Sequence, residues 1–72
     1  MGIAKDKTLL RALGRRIRTA RKRRNLTQEA LADRSGLQRR FVIQLEMGEG
    51  NPTYLTLHNL AKALRVSPED LI

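Results

Sequence analysis

Residues 26–48, LTQEALADRSGLQRRFVIQLEMG, read as two short helices joined by a tight glycine turn. Thr27 is placed to cap the first helix, its hydroxyl accepting from first-turn amides. Glu29 near that start suits the helix dipole, although Ala30 leaves a capping box incomplete. Leu31 is the apolar anchor, and the methyl of Ala32 lets two backbones approach. Gly36 supplies the left-handed conformation that a sharp turn needs. Leu37 packs after the turn, Val42 and Leu45 follow on one face at helical spacing with Phe41 at its edge, and Gly48 ends the second helix.

The layout is that of a helix-turn-helix, whose second helix can enter the major groove of duplex DNA. On a helical wheel, Arg39, Arg40, Ile43, Gln44 and Met47 lie opposite Val42 and Leu45. Arginine matches guanine bidentately, glutamine matches adenine, and an apolar group such as Ile43 suits a thymine methyl; each good bidentate pair discriminates by roughly 1–3 kcal/mol. The plainer reading is a solvated face with two surface arginines. The base-reading set is expected to be Arg39, Arg40, Ile43 and Gln44.

Residues 10–72 resemble the lambda-repressor/Cro-like family of bacterial and phage regulators, also called the xenobiotic-response-element type. The matching residues run in order from Leu13, Ile17, Ala20 and Arg21, through Leu26, Thr27, Gln28, Leu31, Ala32, Gly36, Val42, Leu45, Glu46 and Gly48. They continue through Pro52, Thr53, Leu57, Ala61, Leu64, Val66 and Ser67. The resemblance implies an all-α fold: a compact bundle of five short helices whose second and third form the DNA-reading unit. It implies that Gln28 touches the sugar-phosphate backbone and buttresses the reading helix. It also implies an ion pair between Arg21 and Glu46 that ties helix 1 to the end of helix 3. The start of helix 2 and the loop after helix 3 are the expected phosphate contacts, which puts Thr27, Gln28, Gly48 and Asn51 on the DNA backbone. Two residues depart from the family pattern. Gln38 stands where a short capping hydroxyl is common, and Arg65 stands where a glycine commonly ends helix 4.

The formal net charge of +8 is unevenly placed. Residues 1–24 carry ten Lys/Arg against one acid, whereas residues 25–72 carry five against six. Leu10, Leu13, Ile17 and Ala20 form the buried face expected of the first helix. Arg11, Arg15, Arg18 and Lys22 form a stripe opposite it. Like charges at that spacing cost a few tenths of a kcal/mol per pair, roughly, and a polyanion relieves the repulsion. A solvated, solubilising face is the alternative. Either way the charge attracts DNA at long range.

Seventy-two residues make one small domain, expected over 8–72 with a loose segment at 1–7. Without cysteine there is no disulfide, thiol nucleophile or thiolate metal site, and one histidine builds no metal cluster. No metal or cofactor is expected, and no nucleophile–base constellation, paired acid or phosphate-cradling glycine loop points to an enzyme. No apolar run approaches the ~20 residues that span a bilayer, and no signal peptide stands at the N-terminus. A cytoplasmic setting is expected. Residues 47–52, MGEGNP, form a turn-rich loop whose amides could meet phosphate. Thr53 caps a fourth helix with Leu57, Leu60, Ala61 and Leu64 as its core stripe. Ser67-Pro68-Glu69-Asp70 starts a fifth. Leu71 and Ile72 then suggest either a longer parent protein or docking on a neighbour. His58 reads as an ordinary surface residue, and two aromatics are too few for a single-strand stacking platform.

The partners expected are double-stranded DNA and a second copy of the chain, with Tyr54, helix 4 and the Leu71/Ile72 end as the dimer contact. The function expected is a sequence-specific transcription regulator, a homodimeric repressor or controller on a two-fold operator. A protein-interaction module of the antitoxin or coactivator type on the same fold is the second reading, with a protein partner or further domain. A basic amphipathic element for acidic membranes or RNA is the third. The narrow aliphatic face of helix 1, without Trp or Phe anchors, argues against that one.

Overall fold

Asp6 caps a long basic helix: its Oδ1 accepts from the amides of Thr8 (2.7 Å) and Leu9 (3.4 Å). The computed structural model describes residues 6–72. Its elements are α1 (Lys7–Arg23), α2 (Gln28–Ser35), α3 (Arg39–Glu46), α4 (Tyr54–Leu64) and a closing 3₁₀ turn (Pro68–Asp70). Of the segment expected to be loose, residues 1–5 lie outside the described residues. Lys7 is the first residue of α1 and Asp6 is its cap.

The expected bundle of five helices is four helices and one 3₁₀ turn. Pro68 has no amide to donate, and the bonds that close the turn span three residues: Asp70 N–H to Ser67 O (2.9 Å) and Leu71 N–H to Pro68 O (3.1 Å). Asp70 Oδ2 accepts from the Ser67 amide at 3.0 Å. Leu71 then turns into the core, where it is 1% exposed. It is therefore unavailable for the dimer contact expected of it; Ile72 beside it is 64% exposed.

Local chemistry sets the remaining boundaries. Thr27 Oγ1 accepts from Ala30 N–H at 3.0 Å, and Thr53 Oγ1 accepts from Thr56 N–H at 3.1 Å. Gly36 takes φ 72° and closes α2. Gln38 precedes α3 without a side-chain cap. Arg65 ends α4 in the left-handed region, φ 57° and ψ 44°. That conformation costs a non-glycine residue about 1–2 kcal/mol, of which glycine's extra unfolded-state entropy returns roughly half. Arg65→Gly is therefore expected to raise stability by about 0.5–1 kcal/mol, several degrees in a thermal melt followed by circular dichroism. An unchanged or lowered melt would show that the Arg65 side chain contributes more than its backbone costs.

The apolar stripes meet in one core of Leu13, Ile17, Leu26, Leu31, Val42, Leu45, Leu57, Leu60, Leu64 and Leu71. On α1 the buried residues are Leu13, Gly14 and Ile17, while Leu10 and Ala20 are half-buried. Arg24 lies just beyond α1. Its Nε donates to Leu64 O (3.0 Å) and its Nη2 to Arg65 O (3.3 Å). A guanidinium thus meets the negative end of α4 and latches the first helix to the fourth.

Candidate nucleic-acid interface

α3 is amphipathic within eight residues. Val42 and Leu45 point into the core, and Phe41 packs half-buried at its margin. Arg39 and Arg40 stand exposed at its first turn, with Ile43 and Gln44 half-buried one turn later. The four residues expected to read bases are thus contiguous on the outer surface, where they form two rows. Arg39 and Ile43 line a depression shared with Arg18, Thr27, Gln28 and Met47. Arg40 and Gln44 border a shallower one formed with the α2–α3 turn and Phe41.

Two features position α3. The first is a bidentate pair: Arg21 Nε donates to Glu46 Oε2 at 2.6 Å, and Arg21 Nη2 donates to Glu46 Oε1 at 2.9 Å. The two side chains are 12% and 4% exposed. Arg21 Nη1 also donates to Leu26 O (2.9 Å), and Gln28 Nε2 donates to Glu46 Oε1 (3.2 Å). One carboxylate therefore collects the last turn of α1, the start of α2 and the end of α3. The hydrogen bonds that Arg21 donates to Glu46 raise its pKa above the ordinary value, burial opposes this, and the charge of Glu46 adds to it. The guanidinium stays charged throughout any physiological pH range.

The second feature is Gly14. A Cβ there would lie 2.4 Å from Leu45 O and 2.8 Å from Glu46 O. Only a hydrogen fits between α1 and the end of α3. The sequence reading passed over Gly14, although a glycine among Leu10, Leu13 and Ile17 is itself a signal. It costs a helix interior about 1 kcal/mol relative to alanine, so a close approach is the usual reason for it.

The residues expected on the DNA backbone fall at the rim of the same surface. The Thr27 hydroxyl caps α2 and keeps its own proton free to donate. Gln28 retains a second N–H beyond the one given to Glu46. Gly48 also has a task inside the protein. Its amide donates to Leu45 O at 3.1 Å and so completes the end of α3. What Gly48 contributes is a left-handed φ of 79° and room for Arg11, whose Cγ would lie 2.8 Å from any Cβ at this position. Asn51 is exposed in the loop that follows.

The cationic stripe of α1 divides across the helix. Arg11 covers Gly48 and Arg18 joins the α3 depression, whereas Arg15 lines a groove on the other side. Arg18 from the cationic stripe and Met47 from the outer face of α3 both line the α3 depression. Met47, 63% exposed, continues the Arg39–Ile43 row by one turn. Among the described residues no cluster of His, Cys, Asp and Glu could hold a metal ion, and no helix is long and apolar enough to cross a membrane.

Residues 17–71 match the family model described as helix-turn-helix. The HTH-type transcriptional regulator y4dJ of Sinorhizobium fredii is 44% identical over 52 residues, covering 72% of this chain and 68% of that protein. Control protein C.SmaI of Serratia marcescens is 43% identical over 60 residues, covering 83% and 71%. Among solved structures, the restriction-modification controller protein C.AhdI from Aeromonas hydrophila superposes with a TM-score of 0.85 at 38% identity. That superposition covers 88% of this chain and 96% of the controller.

Proposed function

The chain belongs to the helix-turn-helix family of DNA-binding transcription regulators, and from that premise we propose that it acts as a homodimeric repressor or controller on a two-fold operator. The observation that carries this reading is the outer face of α3. Arg39, Arg40, Ile43 and Gln44 are contiguous there and held at a set angle by Arg21–Glu46 and Gly14. In this reading the two arginines take guanine edges, Gln44 an adenine and Ile43 a thymine methyl. Thr27, Gln28 and the Gly48–Asn51 loop follow the phosphates, and Arg18 adds a cation beside them.

A two-fold operator calls for two subunits. The longest extent of the domain is 28 Å, and successive major grooves on one side of B-DNA are ~34 Å apart. One domain cannot enter two grooves, whereas two side by side can. Tyr54, Leu55 and Ile72, all more than 60% exposed, supply an apolar surface for that contact. The proposed setting is the cytoplasm, with the whole of residues 8–72 acting as the DNA-binding domain.

Selection from a random duplex library at near-physiological salt tests the reading. The expected product is an inverted repeat with half-sites about one helical turn apart. Arg39→Ala and Arg40→Ala should each relax preference at one base position, with a loss of about 1–3 kcal/mol on the preferred site. Arg18→Ala should weaken all sequences alike and lower the salt slope by about one. Full discrimination by both α3 variants would remove α3 from the reading role.

A further inference from the structure

The cations of α1 serve two surfaces, and one of them faces away from α3. A groove between α1 and the C-terminal turn is lined by Arg15, Arg16 and Arg23, with Asp70 the one acid. Its walls include Ala12, Ala20 and Val66. The depression on the α3 side also holds three arginines, Arg18, Arg21 and Arg39, but sets Glu29 and Glu46 against them. The groove remote from α3 is thus the more positive of the two. At 100° per residue, the α1 residues of the two grooves are centred about 160° apart around the helix axis, and the grooves share no residue. A duplex seated on α3 therefore leaves Arg16 and Arg23 on the far side of α1.

Among the described residues, no hydrogen bond or ion pair engages the guanidiniums of Arg15, Arg16 or Arg23. Three guanidiniums face one carboxylate, Asp70, along this groove, so its charge favours an anionic occupant. The groove also carries apolar surface. Leu9, 60% exposed, falls on the same side of α1 as Ala12, Arg16 and Arg23 by helical spacing. Alternating cationic and apolar positions match a peptide that is acidic and apolar by turns, a combination that a phosphate backbone does not offer.

We propose that the groove between α1 and the C-terminal turn docks an acidic, leucine-bearing segment of a partner protein while α3 occupies DNA. The inference rests on the assignment of α3 to DNA, which the library selection tests independently. Partner docking turns a DNA-bound domain into a two-sided adaptor, with the operator on one side of α1 and a protein on the other.

The probe is a fluorescein-labelled synthetic peptide of about fifteen residues alternating Glu or Asp with Leu. Its fluorescence anisotropy is titrated with the full chain, free and then saturated with duplex DNA, at near-physiological salt. Similar affinity in the two states is expected. Arg16→Ala combined with Arg23→Ala should weaken the peptide about tenfold and duplex binding no more than about threefold; Arg18→Ala should do the reverse. A peptide of equal charge with Ser in place of Leu should bind several-fold more weakly. In the wild-type protein, amide shifts induced by the Leu peptide should fall on residues 12–23 and 66–71. Displacement of the peptide by DNA would overturn the proposal by making the groove part of the DNA surface. Equal binding of the Ser peptide would reduce it to undirected charge attraction. Reduced self-association of the Arg16/Arg23 variant, measured by sedimentation, would assign the groove to a second copy instead.

Discussion

Gly14→Ala is expected to lower the melting temperature by about 10–20 °C, the larger effect for its size in this domain. Two terms oppose each other. Alanine is the better helix former and adds roughly 0.5–1 kcal/mol to α1. Against that, its Cβ would sit 2.4 Å from Leu45 O and 2.8 Å from Glu46 O. Neither atom can turn aside, because both belong to the α3 backbone. α1 must instead move away from α3, which loosens the packing of Ile17 and Leu45 and lengthens the Arg21–Glu46 contact. Overpacking costs about 1–3 kcal/mol and occasionally more; with backbone as the obstacle it reaches about 3–4 kcal/mol here, so the steric term wins by about 2–3 kcal/mol. A domain of this size has only ~4–11 kcal/mol to lose. The measurement is a thermal melt by circular dichroism paired with duplex binding at a temperature where the variant is folded. Weaker, less discriminating binding by the folded variant is expected, since the angle of α3 depends on this contact. A melt within a few degrees of wild type would show that α1 and α3 can separate freely.

Glu46→Ala is expected to cost about 2–4 kcal/mol. Its carboxylate, 4% exposed, accepts from Arg21 Nε, Arg21 Nη2 and Gln28 Nε2. Removing it leaves a guanidinium, itself only 12% exposed, without its counter-charge. Breaking one side of a buried pair costs about 3–5 kcal/mol, and residual water access to Arg21 trims that figure. The paired replacement Arg21→Met with Glu46→Leu removes both charges and should recover most of the loss, because the desolvation of two ions disappears along with their attraction. Urea titrations of the two single variants, the double variant and wild type complete the cycle. Additive losses would mean that the pair contributes nothing beyond its separate side chains. Recovery of stability without recovery of operator discrimination would assign the pair chiefly to the angle of α3. The raised Arg21 pKa implies no pH dependence of this contribution below the arginine range. It is fully present wherever the unfolded side chain is protonated, and it would be lost only above the folded value.

The elements were legible because their causes are short-range. Thr27, Thr53 and Gly36 act on amides or dihedrals within about four residues, and the stripes of α3 and α4 follow from a 3.6-residue period. The same period puts Arg39, Arg40, Ile43 and Gln44 on one face. The end of the chain was less legible. Ser67-Pro68-Glu69-Asp70 has the composition of a helix start, yet it forms a single 3₁₀ turn because Leu71 is drawn into the core. Tertiary packing overrode a correct local signal.

By itself, then, the sequence determined the helical periods, the caps, the glycine turn and the chemistry of the outer face of α3. Each of these is settled by neighbours along the chain. Only the tertiary structure decided the contacts between distant elements. Arg21 meets Glu46 across 25 residues, Arg24 latches α4 across 40, Gly14 admits the backbone of α3, and Gly48 leaves room for Arg11. It also decided how the α1 cations divide between two grooves. A residue's helical face is a property of its spacing, but what stands opposite that face exists only once the helices have packed, at distances no local pattern encodes.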